Sequence, residues 1–137
     1  MIQFYFLSIV LNITVGLNLL LQGESKDSAG LIENLRILFK NQTLCLILGI
    51  LTVLVGVFKI LSVVRLDVPI VGDLFPATMG ILSGSSLLFE FYRDSSTSGI
   101  DTMPRITGFL SARRQWIGWA AILSAALHFL FPNVLFL

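Results

Sequence analysis

Along the chain, apolar residues gather into four long runs divided by short polar stretches. A helix rising about 1.5 Å per residue needs roughly 20 residues to cross a hydrocarbon core of about 30 Å. Runs of that length occupy residues Ile2 to Gln22, Thr43 to Val64, Pro69 to Tyr92 and Gln115 to Leu137, and the first and last contain no Lys, Arg, Asp or Glu. The pattern predicts an all-α integral membrane bundle of four transmembrane helices forming a single domain over residues 1–137. The opening Met1-Ile2-Gln3-Phe4-Tyr5 has no basic start, and the apolar run continues for twenty residues, so it reads as a retained span rather than a signal peptide.

The connections carry their own periodicity. In Leu31-Ile32-Glu33-Asn34-Leu35-Arg36-Ile37-Leu38-Phe39-Lys40, the residues Leu31, Leu35, Leu38 and Phe39 share one helical face, with Glu33, Arg36 and Lys40 displaced from it. This predicts a short interfacial helix before the second span. One long bent helix through both segments satisfies the same pattern, and Asn41-Gln42 does not separate the alternatives. Asp94 to Gly99 reads as a loop, and Ile106 to Arg114 as a short helix returning to the membrane. Arg113 and Arg114 fall at headgroup level, and Trp116 and Trp119 sit just beyond, where amphipathic aromatics collect.

Composition agrees with the bilayer as solvent: 55% of the 137 residues are hydrophobic, 12% are charged, and mean hydropathy is +0.91. A soluble chain of this length has too small an interior to hide so much apolar surface. The charges that remain are informative by position. Lys26, Arg36, Lys40, Arg93, Arg105, Arg113 and Arg114 lie in the first and third connections, against Arg65 alone in the second. By the positive-inside rule, loops 23–42 and 93–114 are expected in the cytoplasm, with both termini outside and the plasma (inner) membrane as the location.

Lipid gives apolar side chains no reason to leave it, so span-to-span contact relies on close backbone approach and polar links. Gly72, Pro76, Gly80 and Gly84 recur every four residues in the third span, and Gly49, Thr52 and Gly56 form a narrower small face in the second. The third span is therefore expected to be central, inside the monomer or at a dimer interface, with Pro76 bending it.

Four ionisable residues enter the spans: Lys59, Asp73, Glu90 and His128. Counted from the turn at Asp67, Lys59 and Asp73 both lie about 9 to 12 Å along their helices, level with one another. His128, about 13 Å from the outer end of its span, and Asn12, about 15 Å from its own, complete a polar layer with one residue from each span. Each member has two readings. Lys59 either snorkels to the outer headgroups or pairs inward; Asp73 either caps its helix or meets substrate. Asn12 reads as interhelical glue or a ligand, and His128 as a packing residue or a proton carrier. Glu90, near the opposite end, is placed to pair with Arg113 or Arg114.

No nucleotide, zinc-protease, CxxC or serine-hydrolase motif occurs. One His and one Cys give no metal-ligand spacing, no cofactor is implied, and a net charge of +1 without a basic stripe argues against nucleic acid. The expected partners are the lipid bilayer and either further copies of the chain or a larger membrane protein. Three functions follow as expectations. The first is a permease or channel for a small solute or ion, built on the polar layer. The second is an accessory or assembly subunit without chemistry of its own. The third is an intramembrane enzyme with Asp73 and His128 as acid and base.

Overall fold

The computed structural model describes residues 2–22, 30–62, 74–95 and 104–131, and among these every regular element is α-helical. In chain order they are α1 (Ile2–Leu21), α2 (Leu31–Phe39), α3 (Gln42–Ser62), α4 (Leu74–Ser95), α5 (Pro104–Ala112) and α6 (Arg114–Leu130). Among the described residues, three stretches are long and apolar enough to cross a membrane: Gln3–Leu21, Gln42–Leu61 and Leu74–Ser95. The last two residues but one of α4, Arg93 and Asp94, carry the helix past the expected boundary at Tyr92, because a helix does not stop where the hydrocarbon does. The described part of α6 ends at Leu130. Phe131 precedes a proline, which disfavours helical geometry for it, and its φ of −128° and ψ of 64° lie outside the helical region.

Residues 31–62 form two helices rather than one. The carbonyl oxygen of the Asn41 side chain accepts from the Thr43 N–H at 3.0 Å and the Leu44 N–H at 3.4 Å, so Asn41 is the N-cap of α3 and satisfies two donors that α2 cannot reach. Gly30, at φ 72°, opens α2 in a conformation that an L side chain rarely adopts.

The helices assemble as two close pairs, α3 with α4 and α1 with α6. The α1 and α4 helices also meet each other, and each touches both outer helices, whereas α3 and α6 do not pack directly together. Glycine sets the approach within each pair. A Cβ on Gly84 would lie 2.9 Å from Val53 Cγ2 and 3.0 Å from the Gly49 carbonyl, and one on Gly56 would lie 2.9 Å from the Ala77 carbonyl. Between α1 and α6, a Cβ on Gly16 would come within 2.8 Å of the Gly118 carbonyl, and the reciprocal distance is 2.9 Å. These separations leave no room for any side chain at the crossing.

The α4 stripe serves two neighbours rather than one. Gly84 faces α3, whereas Gly80 stands between α1 and α3, where its Cβ would lie 3.1 Å from Asn12 Oδ1 and 3.7 Å from the Thr52 carbonyl. Four residues advance a helix by about 40° beyond one turn, enough to shift the contact from one partner to the next. Pro76 lies in the first described turn of α4, where it is buried and its carbonyl accepts from Asn12. Gly72, the first member of the expected stripe, lies outside the described residues.

An apolar core of Val15, Leu19, Leu87, Leu110 and Ile117 sits toward the α5 end, with Leu48 and Phe89 packed against it. The other end is polar.

Candidate functional site

At that polar end three helices contribute to one buried cluster. Lys59, in the last turn of α3, is 3% exposed, and His128, in the last turn of α6, is 2% exposed. The lysine Nζ lies 2.6 Å from His128 Nε2 and 3.2 Å from Ser8 Oγ on α1. An ammonium only donates, so with Lys59 charged the imidazole accepts at Nε2 and carries its own proton at Nδ1. Ser8 donates to the Tyr5 carbonyl at 2.8 Å, which leaves its oxygen lone pairs turned to the ammonium. Lys59 therefore points into the bundle and does not snorkel.

Tyr5 completes the arrangement. Its hydroxyl donates to the His128 backbone carbonyl at 2.6 Å, its ring lies 4.6 Å centroid to centroid from the imidazole, and the Lys59 ammonium stands 5.6 Å from its ring centre. One aromatic side chain thus anchors the end of α6 to α1 and offers its negative face to the cation. Because α3 and α6 have no direct helix contact, the lysine side chain itself closes the gap between them.

Asn12 lies one turn along α1 from Ser8 and is 1% exposed. Its Nδ2 donates to the Pro76 carbonyl at 3.1 Å, tying α1 to α4, while its Oδ1 has no hydrogen-bond partner among the described residues. A void of about 10 Å³ adjoins it, walled by Ser8, Thr52, Pro76 and Gly80 among others. That is close to the volume one water molecule requires. Of the expected layer, Lys59 and His128 meet directly, and Asn12 lies one turn along α1 from the Ser8 that Lys59 contacts, bonded to the Pro76 carbonyl of α4. Asp73 lies outside the described residues.

A second polar group occupies the opposite end. Arg114 Nη1 lies 3.7 Å from Glu90 Oε1, joining α6 to α4, and Arg113 instead stacks at 5.0 Å over the Phe109 ring. Beside this pair a cavity of about 290 Å³ opens between Gln22, the end of α2, and α3, α4 and α6. Nearby, Asn18 Nδ2 donates to Cys45 Sγ at 3.4 Å, the thiol donates to the Phe39 carbonyl at 3.0 Å, and Gln22 Nε2 donates to Asn18 Oδ1 at 2.6 Å.

Tyr5, Ser8 and Asn18 are the site residues that sequence reasoning missed. A usable signal existed for the first two: Tyr5, Ser8 and Asn12 are spaced three and four apart, which sets them on one face of α1. Asn18 and Gln22 likewise form an i,i+4 amide pair. Among the described residues no group of three or more His, Cys, Asp or Glu is placed to hold a metal.

Comparison with curated proteins and with solved structures finds no match to either. Residues 1–128 match the profile of a protein family of unknown function, and the chain belongs to that family.

Proposed function

We propose that the protein is a small four-span permease or channel for a small solute or ion, with Lys59 and His128 as its proton-linked charged station. The observation that carries this reading is the 2.6 Å contact of a lysine amine with an imidazole, both buried, at the end of two helices that do not otherwise touch. A buried amine in the last turn of a span must be held away from the water and headgroups it could otherwise reach, a cost that neutral amides or hydroxyls joining helices would not carry. The pair also supplies a switch. While Nε2 is a lone pair, it attracts the ammonium; once protonated, two cations face each other and the link between α3 and α6 opens.

The remaining architecture in this proposal is as follows. The fourth span is the apolar run Gln115 to Leu137, to which α6 belongs, and α2 lies in the membrane interface. Its exposed Leu31, Ile32, Ile37 and Leu38 support that placement, as do exposed Trp116 and Trp119 at the start of α6. Both termini and the polar cluster face outside, and loops 23–42 and 93–114 face the cytoplasm of a plasma (inner) membrane.

The test is flux into liposomes under an imposed pH gradient. Purified protein should carry a proton-linked current or solute movement that His128→Ala and Lys59→Met both abolish. Absence of any such movement, or flux unchanged in both variants, rejects the reading.

One observation favours the accessory or assembly subunit: the void beside Asn12 holds at most about one water, too little for a solute. In that case the cluster locks α1, α3 and α6 for docking on further copies or a larger membrane protein. A stoichiometric membrane partner retained in mild detergent would support it.

A further inference from the structure

The cavity at the end of the bundle opposite Lys59 plays no part in the permease reading. Cations reach its walls from three elements: Lys40 at the end of α2, Arg93 near the end of α4 and Arg114 at the start of α6. Phe39 and Leu87 add apolar wall, and the volume of about 290 Å³ is at the lower edge of the range that encloses small ligands.

The donors on these walls outnumber the acceptors that meet them. Among the described residues the Lys40 side chain has no hydrogen bond or ion pair. A guanidinium carries five N–H donors, yet Arg114 has one ionic contact, to Glu90 Oε1 at 3.7 Å, longer than a hydrogen bond. Arg93 meets Asp94 at 3.5 Å. The two carboxylates beside the cavity do not fill it with negative charge. Glu90 Oε2 is buried and presents almost no surface, Glu90 Oε1 is the atom next to Arg114, and the Asp94 side chain is 56% exposed, where water and salt screen it. Three cations against two carboxylates, one of them largely sealed, leave the accessible wall positive.

A planar carboxylate ligand would pair with one guanidinium through two parallel bonds and leave the other cations unmet. A tetrahedral anion has several acceptor oxygens and takes donors from several directions at once. We propose that this cavity binds a phosphate monoester, with Lys40, Arg93 and Arg114 donating to its oxygens. The phosphate belongs either to a phospholipid head or to a free small molecule. With α2 and Trp116 in the membrane interface, as in the reading above, the cavity lies at headgroup level, where basic pockets between helices take lipid phosphates. Leu38 and Trp116, exposed at 50% and 78%, are each two residues from a cation of the wall.

The experiment has two arms, both on the full chain. In the first, protein in maltoside micelles, which carry no phosphate, is titrated calorimetrically with glycerol 3-phosphate and with acetate. In the second, phosphatidylcholine nanodiscs receive a share of phosphatidic acid, the lipid with the same phosphate head, and the molecules retained are counted by native mass spectrometry. Lys40→Gln, at an exposed position, should weaken whichever ligand binds by about tenfold, the amount one charge-assisted hydrogen bond supplies. Arg113→Gln removes the same charge from an exposed residue that stacks on Phe109 and does not line the cavity, and it should leave binding unchanged. Retention of phosphatidic acid alone assigns the site to a headgroup, binding of glycerol 3-phosphate alone assigns it to a free molecule, and binding of both assigns it to the phosphate from either source; each supports the proposal. No binding in either arm, acetate bound as tightly as glycerol 3-phosphate, phosphatidic acid retained no better than phosphatidylcholine where no soluble ligand binds, or a loss in Lys40→Gln no larger than in Arg113→Gln overturns it.

Discussion

Lys59 and His128 illustrate what a buried contact costs when half of it is removed. Breaking a buried charged pair by deleting one partner leaves the other uncompensated, at about 3 to 5 kcal/mol. His128→Ala should therefore lower the unfolding free energy by roughly that amount, read from reversible denaturation in detergent micelles. The double variant Lys59→Met, His128→Leu should recover much of the loss, because it removes the charge along with its acceptor. A His128→Ala protein as stable as the parent would show that the imidazole does not hold the ammonium. Residue counts along the helices put Asn12, Lys59, Asp73 and His128 at a common depth. The identity of the lysine's neighbours was not legible in that way. Depth is one coordinate, and the rotation of each helix about its axis is another, so the contact with His128 and the roles of Tyr5 and Ser8 emerge only when α1 is docked between α3 and α6.

Among the helices, the decisive contrast is between glycines that touch a neighbour and glycines that do not. A Cβ at Gly16 or Gly118 would sit inside 3.0 Å of a carbonyl on the partner helix, and backbone does not yield as a flexible side chain does. Gly16→Val and Gly84→Leu should each cost 1 to 3 kcal/mol or more, visible as a lowered melting temperature, on the scale of about 1 to 3 kcal/mol for overpacking. Gly108→Ala is the opposite case: it lies within α5 with nothing near its Cβ position. Alanine there should stabilise the helix by about 0.5 to 1 kcal/mol. If all three substitutions behaved alike, close backbone approach would not be what joins the pairs. The α4 glycines were readable because they repeat every four residues, but Gly16 and Gly118 stand alone in α1 and α6, and a single small residue gives no periodicity. The break between α2 and α3 was similarly hidden, since Asn41 favours a cap and tolerates a helix interior until its side chain is seen bonded to Thr43 and Leu44.

At the scale of the molecule, the uneven distribution of basic residues makes a statement about sidedness that single cysteines can check. The native Cys45 is buried, so an impermeant maleimide should report chiefly on an introduced thiol. Asp67→Cys should label in intact cells and Gly99→Cys only after the membrane is opened; the reverse pattern would invert the orientation. The order in which the helices pair also governs how the chain is made. The α3 and α4 helices are sequence neighbours, whereas the α1 and α6 helices are far apart along the chain, and Tyr5 reaches His128 across 123 positions. Contacts so distant along the chain form late, after the entropy of closing the intervening segment has been met. During synthesis α1 leaves the ribosome before α3, α4 and α6, and must wait for α6 to find its closest partner. Until α6 arrives, the groove at Gly16 and the hydroxyls of Tyr5 and Ser8 face lipid, chaperone or another chain. A nascent chain halted before Arg114 should accordingly hold a protected α3–α4 hairpin beside an α1 that proteases and quality-control factors still recognise as unfinished.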